Sequence, residues 1–355
     1  MTWQTISGCA DSPISQHHNG SSVDIKVSII VPAYNAEATI SAAIASLQAQ
    51  TMRDWEAIVV DDASADATPE ILHRISCADP RIRIVRNVAN LGPAGSRNVG
   101  LCMAHGDWVA LLDADDHFHD TRLATLLSLG QQADADMVAD NLVQYHETDG
   151  STRVLFDKSE FPTPRFISFQ EFVESCYFGE GTPQRSGYVF MQPIVRRAFL
   201  ERHQLRYDPL AHNGEDFLFY LDCLAVGARW LVTPEAMCSY RIRDGSMTDI
   251  VRNHDRAAMI RKLRELIQRP GIAENASLAD ALERHMRLVA YTHYSYAVKH
   301  AVTKGQFRNL LIAMSIHPSA TMPALRELRR RVPDICRRAV RRVSAAQLKP
   351  GRTLR

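Results

Sequence analysis

Near its start the chain reads Val27-Ser-Ile-Ile-Val-Pro-Ala-Tyr-Asn35, an apolar run that passes directly into polar residues. Similar runs follow at Ala57–Val60, Ile82–Val85 and Trp108–Leu112, and the stretches between them have the apolar spacing of helices. Runs that are apolar throughout, without alternation, are typical of strands buried on both faces. The first part of the chain, to about residue 145, therefore predicts a parallel, doubly wound α/β sheet covered by helices.

The rest of the chain is first mixed and then helical. Candidate strands lie at Tyr188–Val195 and Trp230–Tyr240, and candidate helices at Phe169–Cys176 and Phe217–Val226. Beyond Asn253 the apolar spacing is helical throughout. We therefore divide the chain into a disordered leader (1–24), an α/β module (25–150), a mixed region (151–250), a helical appendage (251–320) and a basic tail (321–355).

The composition is that of an ordinary globular protein, with 46% hydrophobic and 23% charged residues among 355. No stretch approaches the roughly 18–20 apolar residues of a membrane-spanning helix. The seven cysteines are scattered and form no closely spaced pair, which favours a reducing compartment. These features lead us to expect a cytoplasmic protein.

The basic tail stands out from the nearly neutral chain. Between Thr321 and Arg355, arginine and lysine far outnumber acidic residues, and apolar residues recur at helical spacing on either side of Pro333. Basic amphipathic faces of this kind bind anionic membrane surfaces, which raises the hypothesis of peripheral binding to the inner face of the cytoplasmic membrane. The alternative is that the basic tail forms a helix that packs on the rest of the protein. No aromatic residues are interleaved with these charges, so no nucleic-acid partner is expected.

An acidic turn follows the fourth apolar run and contains Asp113, Asp115 and Asp116. Because these carboxylates repel one another, a divalent cation that bridges to a substrate diphosphate would explain their clustering. The alternative is a solvated turn in which Asp116 or Asp120 caps the next helix. The residues alone leave both open.

Two further polar clusters lie near strand ends. Asp61 and Asp62 follow the second run, and two adjacent carboxylates exceed what capping of the next helix requires, so one can accept hydrogen bonds from a base or a ribose. Arg97 lies within Asn90-Leu-Gly-Pro-Ala-Gly-Ser-Arg-Asn-Val-Gly100, whose glycines permit close backbone approach to a ligand. Arg97 can contact a phosphate or a base there, or it can be a solvated residue at a helix start.

These motifs, in this order, resemble the family 2 inverting glycosyltransferases of the GT-A fold. The resemblance implies an α/β, GT-A-like, doubly wound and mostly parallel sheet with a helical C-terminal region. It makes residues 25–150 the nucleotide-sugar-binding module and implies Mg²⁺ or Mn²⁺ as cofactor, with Asp115 as the chief metal ligand and Asp113 facing both ribose and metal. The implied nucleotide contacts are Ala33, Tyr34, Asn35, Asp61 or Asp62, Asn90 and Arg97.

The resemblance also supplies a base in the mixed region. Glu215 and Asp216 resemble the family's Glu-Asp pair, whose aspartate deprotonates the acceptor hydroxyl, and displacement at an anomeric carbon requires such a group. The family favours Asp216; the alternative is a helix N-terminus that merely prefers acidic residues. Arg243 stands where the family often has a histidine that meets the departing diphosphate, and a surface salt bridge explains it equally well.

The resemblance therefore implies transfer of one hexose from a UDP-sugar to an acceptor hydroxyl, on a lipid-linked oligosaccharide in bacterial exopolysaccharide synthesis of the succinoglycan type. Residues 151–250 would bind the acceptor. Val226 replaces the glutamine of the QxxRW signature of processive synthases, so we expect a non-processive enzyme. The alternatives are a sugar-phosphate nucleotidyltransferase, which would release pyrophosphate, and a non-catalytic sugar-nucleotide-binding or scaffold protein.

Overall fold

The structure is a computed structural model that describes residues 25–176, 187–211, 213–243 and 253–304. The predicted leader and the basic tail lie outside the described residues, as do residues 251–252 and 305–320 of the predicted helical appendage.

Strands and helices alternate through the first half of the chain, and helices predominate at its described end. The strands are β1 (Val27–Ala33), β2 (Trp55–Asp61), β3 (Ile82–Arg86), β4 (Trp108–Leu111), β5 (His117–Phe118), β6 (Met137–His146), β7 (Thr152–Val154), β8 (Arg165–Ile167), β9 (Ile194–Arg196) and β10 (Trp230–Ile242). The α-helices are α1 (Ile40–Gln48), α2 (Thr68–Ala78), α3 (Gly92–Met103), α4 (Arg122–Gln132), α5 (Phe169–Ser175), α6 (Arg197–Arg202), α7 (Glu215–Ala225), α8 (Asn253–Ile267), α9 (Pro270–Ala273) and α10 (Ala276–Lys304).

Within the described residues these strands form one sheet in the order β3-β2-β1-β4-β9-β6-β10-β5, with β7 beside β6 and β8 beside β10. Strands β3, β2, β1 and β4 are parallel, as are β6 and β10, whereas β9 is antiparallel to both of its neighbours. The predicted α/β class with a mostly parallel sheet is confirmed. The sheet continues past residue 150, because β10 lies beside β6.

Strands β1 and β2 are buried because helices cover both faces of the sheet. Helix α3 packs closely on β1, since a Cβ atom added to Gly100 would lie 2.4 Å from Cγ2 of Ile30. This contact explains the last glycine of the motif as a packing requirement. It also fixes α3 beside the carboxyl end of the sheet, where the preceding loop enters the helix.

The strand predicted over Tyr188–Val195 is wrong for most of that length. A 3₁₀ helix occupies Tyr188–Phe190, and extended structure begins only at Ile194. Between them, Gln192 has a left-handed backbone with φ of 44°. A left-handed residue cannot continue a strand, so the chain turns there.

The described C-terminal part is helical, as predicted, and packs on the helices α5 and α7. Helix α10 packs against α5 and α8. His285 of α10 stacks on Phe217 of α7, with ring centroids 4.6 Å apart. The helical region thereby stabilises the helix that carries the candidate base.

Candidate functional site

The residues predicted for the site gather where the parallel strands end. Ala33 closes β1 and is paired in register with Asp61, the last residue of β2. Asp113 lies two residues beyond β4, and Arg97 and Asp216 lie in the first halves of α3 and α7. The topology therefore brings residues separated by more than a hundred positions to one edge of the sheet.

The guanidinium group of Arg97 is the centre of this cluster. Its Nη1 donates to Oε1 of Glu215 at 2.6 Å and to Oδ1 of Asp216 at 3.0 Å, while its Nη2 donates to Oδ1 of Asp113 at 2.9 Å. Arg97 also lies over the ring of Tyr207, with Cζ 5.4 Å from the ring centroid. One cation thus links the acidic turn to the Glu-Asp pair.

Arg97 is 3% exposed, so the alternative of a solvated arginine is wrong. Burial by itself would lower the pKa of Arg97, but the carboxylates of Asp216, Asp113 and Glu215 raise it well above its usual value. The side chain therefore remains charged and compensates buried negative charge. A direct contact between Arg97 and the nucleotide stays a prediction.

Glu215 and Asp216 form the first turn of α7, directly after Gly214, which adopts a left-handed conformation with φ of 82°. The Glu215 side chain is 10% exposed and that of Asp216 is 26% exposed. Burial raises the pKa of Asp216 to about 7, and Arg97 partly opposes this rise. Of the two carboxylates, Asp216 is therefore the more accessible to a second substrate.

The last carboxylate of the acidic turn lies in the protein interior. Asp116 is buried and accepts hydrogen bonds from the backbone N–H of Arg241 at 3.0 Å and from Nε2 of Gln192 at 3.1 Å. Burial, together with the negative charges of Asp113 and Asp115, raises the pKa of Asp116 well above its usual value. The alternative of a solvated turn capped by Asp116 is wrong, because that carboxylate contacts β10 and the Gln192 turn.

Asp115 is half-buried in the turn. Burial and the neighbouring Asp113 raise its pKa. The Nη2 atom of Arg243, at the end of β10, lies 3.3 Å from Oδ2 of Asp115. Half of the Arg243 side chain is exposed, so this ion pair is weak and its guanidinium can change position at little cost.

The loops after β1 and β2 are tied together by Asn35. Its backbone N–H donates to Oγ of Ser64 at 3.0 Å, and its Oδ1 accepts the N–H of Ala65 at 2.9 Å. The backbone of Asn35 is left-handed, with φ of 48°, a conformation that asparagine tolerates. Its neighbour Tyr34 is 54% exposed, which leaves an aromatic face open to a planar ligand.

Asp62 supports helix α3. Its Oδ1 accepts the N–H of Leu91 at 2.8 Å and Nδ2 of Asn87 at 2.8 Å, and its Oδ2 accepts the N–H of Gly92 at 2.9 Å. Nδ2 of Asn90 donates to the Asp62 carbonyl at 3.3 Å. These contacts satisfy N–H groups at the start of α3 that the helix itself leaves unpaired. The structure thus gives both residues a part in shaping the loop before α3.

Asp61 is buried at the end of β2. Its Oδ1 accepts the N–H of Ser64 at 3.0 Å, and its Oδ2 lies 3.1 Å from Nη1 of Arg86. Arg86 also donates to the Ser64 carbonyl at 2.9 Å. Arg86 was not singled out in the sequence, although an arginine at the end of β3 is the natural partner for a carboxylate at the end of the neighbouring strand.

Comparisons with known proteins identify the family of the chain. Residues 28–185 match the sequence model of glycosyl transferase family 2. The chain is 37% identical over 234 residues to the succinoglycan biosynthesis protein ExoO of Rhizobium meliloti, a match that covers 66% of each chain. It is 34% identical over 229 residues to the UDP-Glc:alpha-D-GlcNAc-diphosphoundecaprenol beta-1,3-glucosyltransferase WfgD of Escherichia coli, covering 63% of this chain and 80% of that protein.

The chain belongs to glycosyl transferase family 2.

A solved structure gives the same result for the fold. The crystal structure of residues 1–349 of S. aureus TarS in complex with UDP-GlcNAc superposes with a TM-score of 0.63 at 20% identity, covering 81% of this chain and 79% of that one. The GT-A-like fold predicted for this glycosyltransferase is therefore confirmed.

The donor groups of the site suit a hard divalent cation. Among the residues that the structure describes, no group of three or more histidine, cysteine or acidic side chains is arranged to hold a metal ion. Asp113 and Asp115 offer only oxygen atoms, the type that Mg²⁺ and Mn²⁺ prefer, and Mg²⁺ commonly takes one or two carboxylates and completes its shell from substrate phosphates and water. A cation at these two residues would therefore depend on a bound diphosphate.

Two polar anchors of the glycosyltransferase site were missed in the sequence. Asn98, next to Arg97, pairs with the backbone of Tyr207 through Nδ2 to the carbonyl and Oδ1 to the N–H, both at 2.9 Å. Gln192 bridges two carboxylates of the acidic turn. The available signal for Gln192 was one polar residue inside an otherwise apolar segment.

Proposed function

We propose that this glycosyltransferase transfers a single hexose from a UDP-sugar to an acceptor hydroxyl, with inversion at the anomeric carbon. The observation that carries the proposal is the link through Arg97, which holds the Asp216 carboxylate beside Asp113 and the acidic turn. Because Arg97 holds the base close to the donor site, the acceptor hydroxyl and the anomeric carbon of the donor can be brought together for direct displacement.

Asp216 is the base in this proposal. The acceptor oxygen forms a bond to the anomeric carbon, the bond from that carbon to the β-phosphate oxygen breaks, and the hydroxyl proton passes to Asp216. The pKa of Asp216, raised by burial to about 7, leaves the carboxylate partly ionised and basic enough to accept this proton near neutral pH. Oδ1 of Asp216 contacts Arg97, so the proton is expected on Oδ2. Glu215 lies deeper and acts by holding Arg97.

A Mg²⁺ or Mn²⁺ ion is the proposed cofactor, held by Asp115 with Asp113 beside it. When bound, it would neutralise charge on the diphosphate leaving group. The raised pKa of Asp115, caused by burial and by Asp113, supports the proposal because it reflects negative charge that a cation would compensate. Arg243 now lies near Asp115 and is free enough to turn toward the departing diphosphate.

The nucleotide is proposed to bind along the ends of β1 and β2. Exposed Tyr34 supports this placement, since its ring can stack on a base while Ala33 and Asn35 present backbone beside it. Asp61, Asp62 and Asn90 shape this surface through the hydrogen bonds described above. The relative WfgD, whose name specifies UDP-glucose, supports a UDP-sugar as donor.

The acceptor is proposed to be a lipid-linked oligosaccharide in exopolysaccharide synthesis of the succinoglycan type. The names of ExoO and WfgD support this class, since one specifies succinoglycan biosynthesis and the other a diphosphoundecaprenol acceptor. The match to ExoO spans about two thirds of either protein, so the transfer step of ExoO itself is not carried over.

A panel of UDP- and GDP-sugars, incubated with a membrane extract of lipid-linked acceptors, tests the proposed function. Mass spectrometry should find an acceptor heavier by one hexose, with free UDP formed in equal amount. In a parallel reaction supplied with UTP and a sugar 1-phosphate, release of pyrophosphate together with a UDP-sugar would identify a nucleotidyltransferase. Donor binding without any transferred sugar would favour a non-catalytic protein.

The basic tail is proposed to place the enzyme on an anionic membrane surface at the inner face of the cytoplasmic membrane, where a lipid-linked acceptor lies. The clustered arginines of residues 321–355 support this idea. Within the described residues, no helix has the length and apolarity needed to cross a bilayer. A chain ending at Ala320 should lose co-sedimentation with anionic vesicles. Full retention by that truncated chain would contradict the proposal.

A further inference from the structure

We propose that Gln192 is a positioning residue that holds the carboxylates of Asp113 and Asp116 in the donor site. This inference rests on the proposed function of the acidic turn. The Nε2 atom of Gln192 lies 3.1 Å from Oδ2 of Asp116 and 3.4 Å from Oδ2 of Asp113. A carboxamide nitrogen has two N–H groups, one for each carboxylate. Gln192 therefore joins two repelling groups without adding a charge of its own.

The orientation of the amide is set from its other end. The thiol of Cys238 lies 3.9 Å from Oε1 of Gln192 and donates toward it. Carboxylates accept hydrogen bonds and a thiol donates one, so a single orientation of the amide satisfies all three neighbours. Gln192 is buried, which keeps water from replacing these contacts.

The backbone of Gln192 is held just as firmly. Its φ of 44° is unfavourable for a residue with a Cβ, and such a conformation persists only where the surroundings impose it. Nη2 of Arg122 donates to the Gln192 carbonyl at 2.8 Å, and Arg122 is itself paired with Asp140 at 2.8 Å, with both side chains fully buried. The buried ion pair between Arg122 and Asp140 thus holds the backbone of Gln192, and this backbone positions the amide.

Asp113 and Asp116 depend on this amide in different ways. In Asp116, Oδ1 accepts a hydrogen bond from the Arg241 N–H and Oδ2 accepts one from Gln192. Loss of the amide therefore leaves Oδ2 of this buried carboxylate without that donor. In Asp113, Oδ1 accepts a hydrogen bond from Arg97 and Oδ2 faces the amide of Gln192. Without the amide, repulsion between the two carboxylates is free to turn them out of the geometry that binds the donor.

The test is a UDP titration by calorimetry in excess MgCl₂ on the full chain and the variant Gln192→Gly. Glycine accepts the left-handed backbone and keeps the carbonyl that Arg122 holds, so it removes the side chain with its amide and leaves the turn in place. We expect UDP to bind at least about tenfold more weakly, the scale of one hydrogen bond to a charged group. The KM for the donor should rise similarly, with kcat changed less than about threefold, because Asp216 is untouched.

Two further variants sharpen the test. Gln204→Gly is the matched control, since Gln204 is also left-handed, with φ of 52°, but exposed at the end of α6, and it should bind UDP as the unmodified chain does. If Gln192→Gly does not fold, Gln192→Asn replaces it, because asparagine tolerates this backbone while its shorter amide cannot span both carboxylates.

Unchanged UDP affinity in a folded Gln192 variant would overturn the positioning role of Gln192 and leave the proposed donor site standing. If the unmodified chain itself binds no UDP, the proposed donor site fails, and the inference fails with it.

Discussion

The Nη1 atom of Arg97 lies 3.0 Å from Oδ1 of Asp216, although 119 positions separate the two residues in the chain. The same guanidinium contacts Asp113 at 2.9 Å. The candidate base and the candidate donor site therefore share one cation, and movement of α7 relative to α3 would disturb both. This arrangement ties the chemistry of the site to the packing of two helices.

Replacing Arg97 with methionine should strongly destabilise the fold. The substitution leaves Asp113, Glu215 and Asp216 without their shared counter-ion, and removing one partner of a buried ion pair costs about 3–5 kcal/mol in the free energy of unfolding. Urea denaturation measures this loss. Arg287→Met, which removes exposed pairs with Glu283 and Asp280, is the control and should cost less than about 1 kcal/mol. Equal losses in both variants would contradict the central role of Arg97.

The rate of sugar transfer should rise with pH and level off above about 7. The base must be deprotonated to act, and burial raises the pKa of Asp216 to about 7, so the carboxylate is mostly protonated and inactive at lower pH. The kcat measured between about pH 5 and pH 9 at saturating donor checks this. A UDP titration at each pH separates loss of the base from loss of the donor site. A flat kcat profile would exclude Asp216 as the titrating base.

Much of the fold could be predicted because the first half of the chain follows local rules. Val27–Val31 and its counterparts are continuously apolar, and that pattern has few interpretations other than a covered parallel sheet. The turn at Gln192 could not be predicted, since its left-handed backbone is imposed by Arg122 from a distant helix. A contact between residues so far apart in the chain cannot be predicted from the residues next to Gln192.

The sequence predicts candidate residues for the site, but it does not predict the side chains that those residues contact. The sequence predicts that Arg97 contacts a phosphate or a base, and the structure gives it three carboxylate partners. The resemblance implies a nucleotide contact from Asp61 or Asp62, and the Asp62 carboxylate accepts three protein donors. A motif identifies a side chain that matters, whereas only the packed structure identifies what that side chain touches.

Asp62→Ala should reduce stability more than a surface substitution does. The change leaves the N–H groups of Leu91 and Gly92 without their acceptor at the start of α3, a loss of about 2 kcal/mol. Thermal unfolding measures it. Asp107→Ala, which removes only an exposed pair with Lys26, serves as the control. If Asp62→Ala unfolds like the control yet loses UDP binding, Asp62 is a ligand contact and its structural role is minor.

Asp115→Ala should weaken UDP binding in MgCl₂ by about tenfold or more, since it removes the chief proposed oxygen ligand of the cation. In EDTA the variant and the unmodified chain should bind UDP equally, because no cation remains to distinguish them. Calorimetry in both buffers gives the comparison. Unchanged affinity of Asp115→Ala in MgCl₂ would remove Asp115 as the metal ligand.

The most direct test of the account is Asp216→Asn, assayed for sugar transfer by mass spectrometry and for UDP binding by calorimetry on the same preparation. Asparagine keeps the shape of the side chain and cannot accept the acceptor proton, so transfer should fall by a factor of about a hundred or more. UDP affinity should stay within about threefold of that of the unmodified chain, and Glu215→Gln should retain more transfer activity than Asp216→Asn. Full transfer by Asp216→Asn would contradict the account.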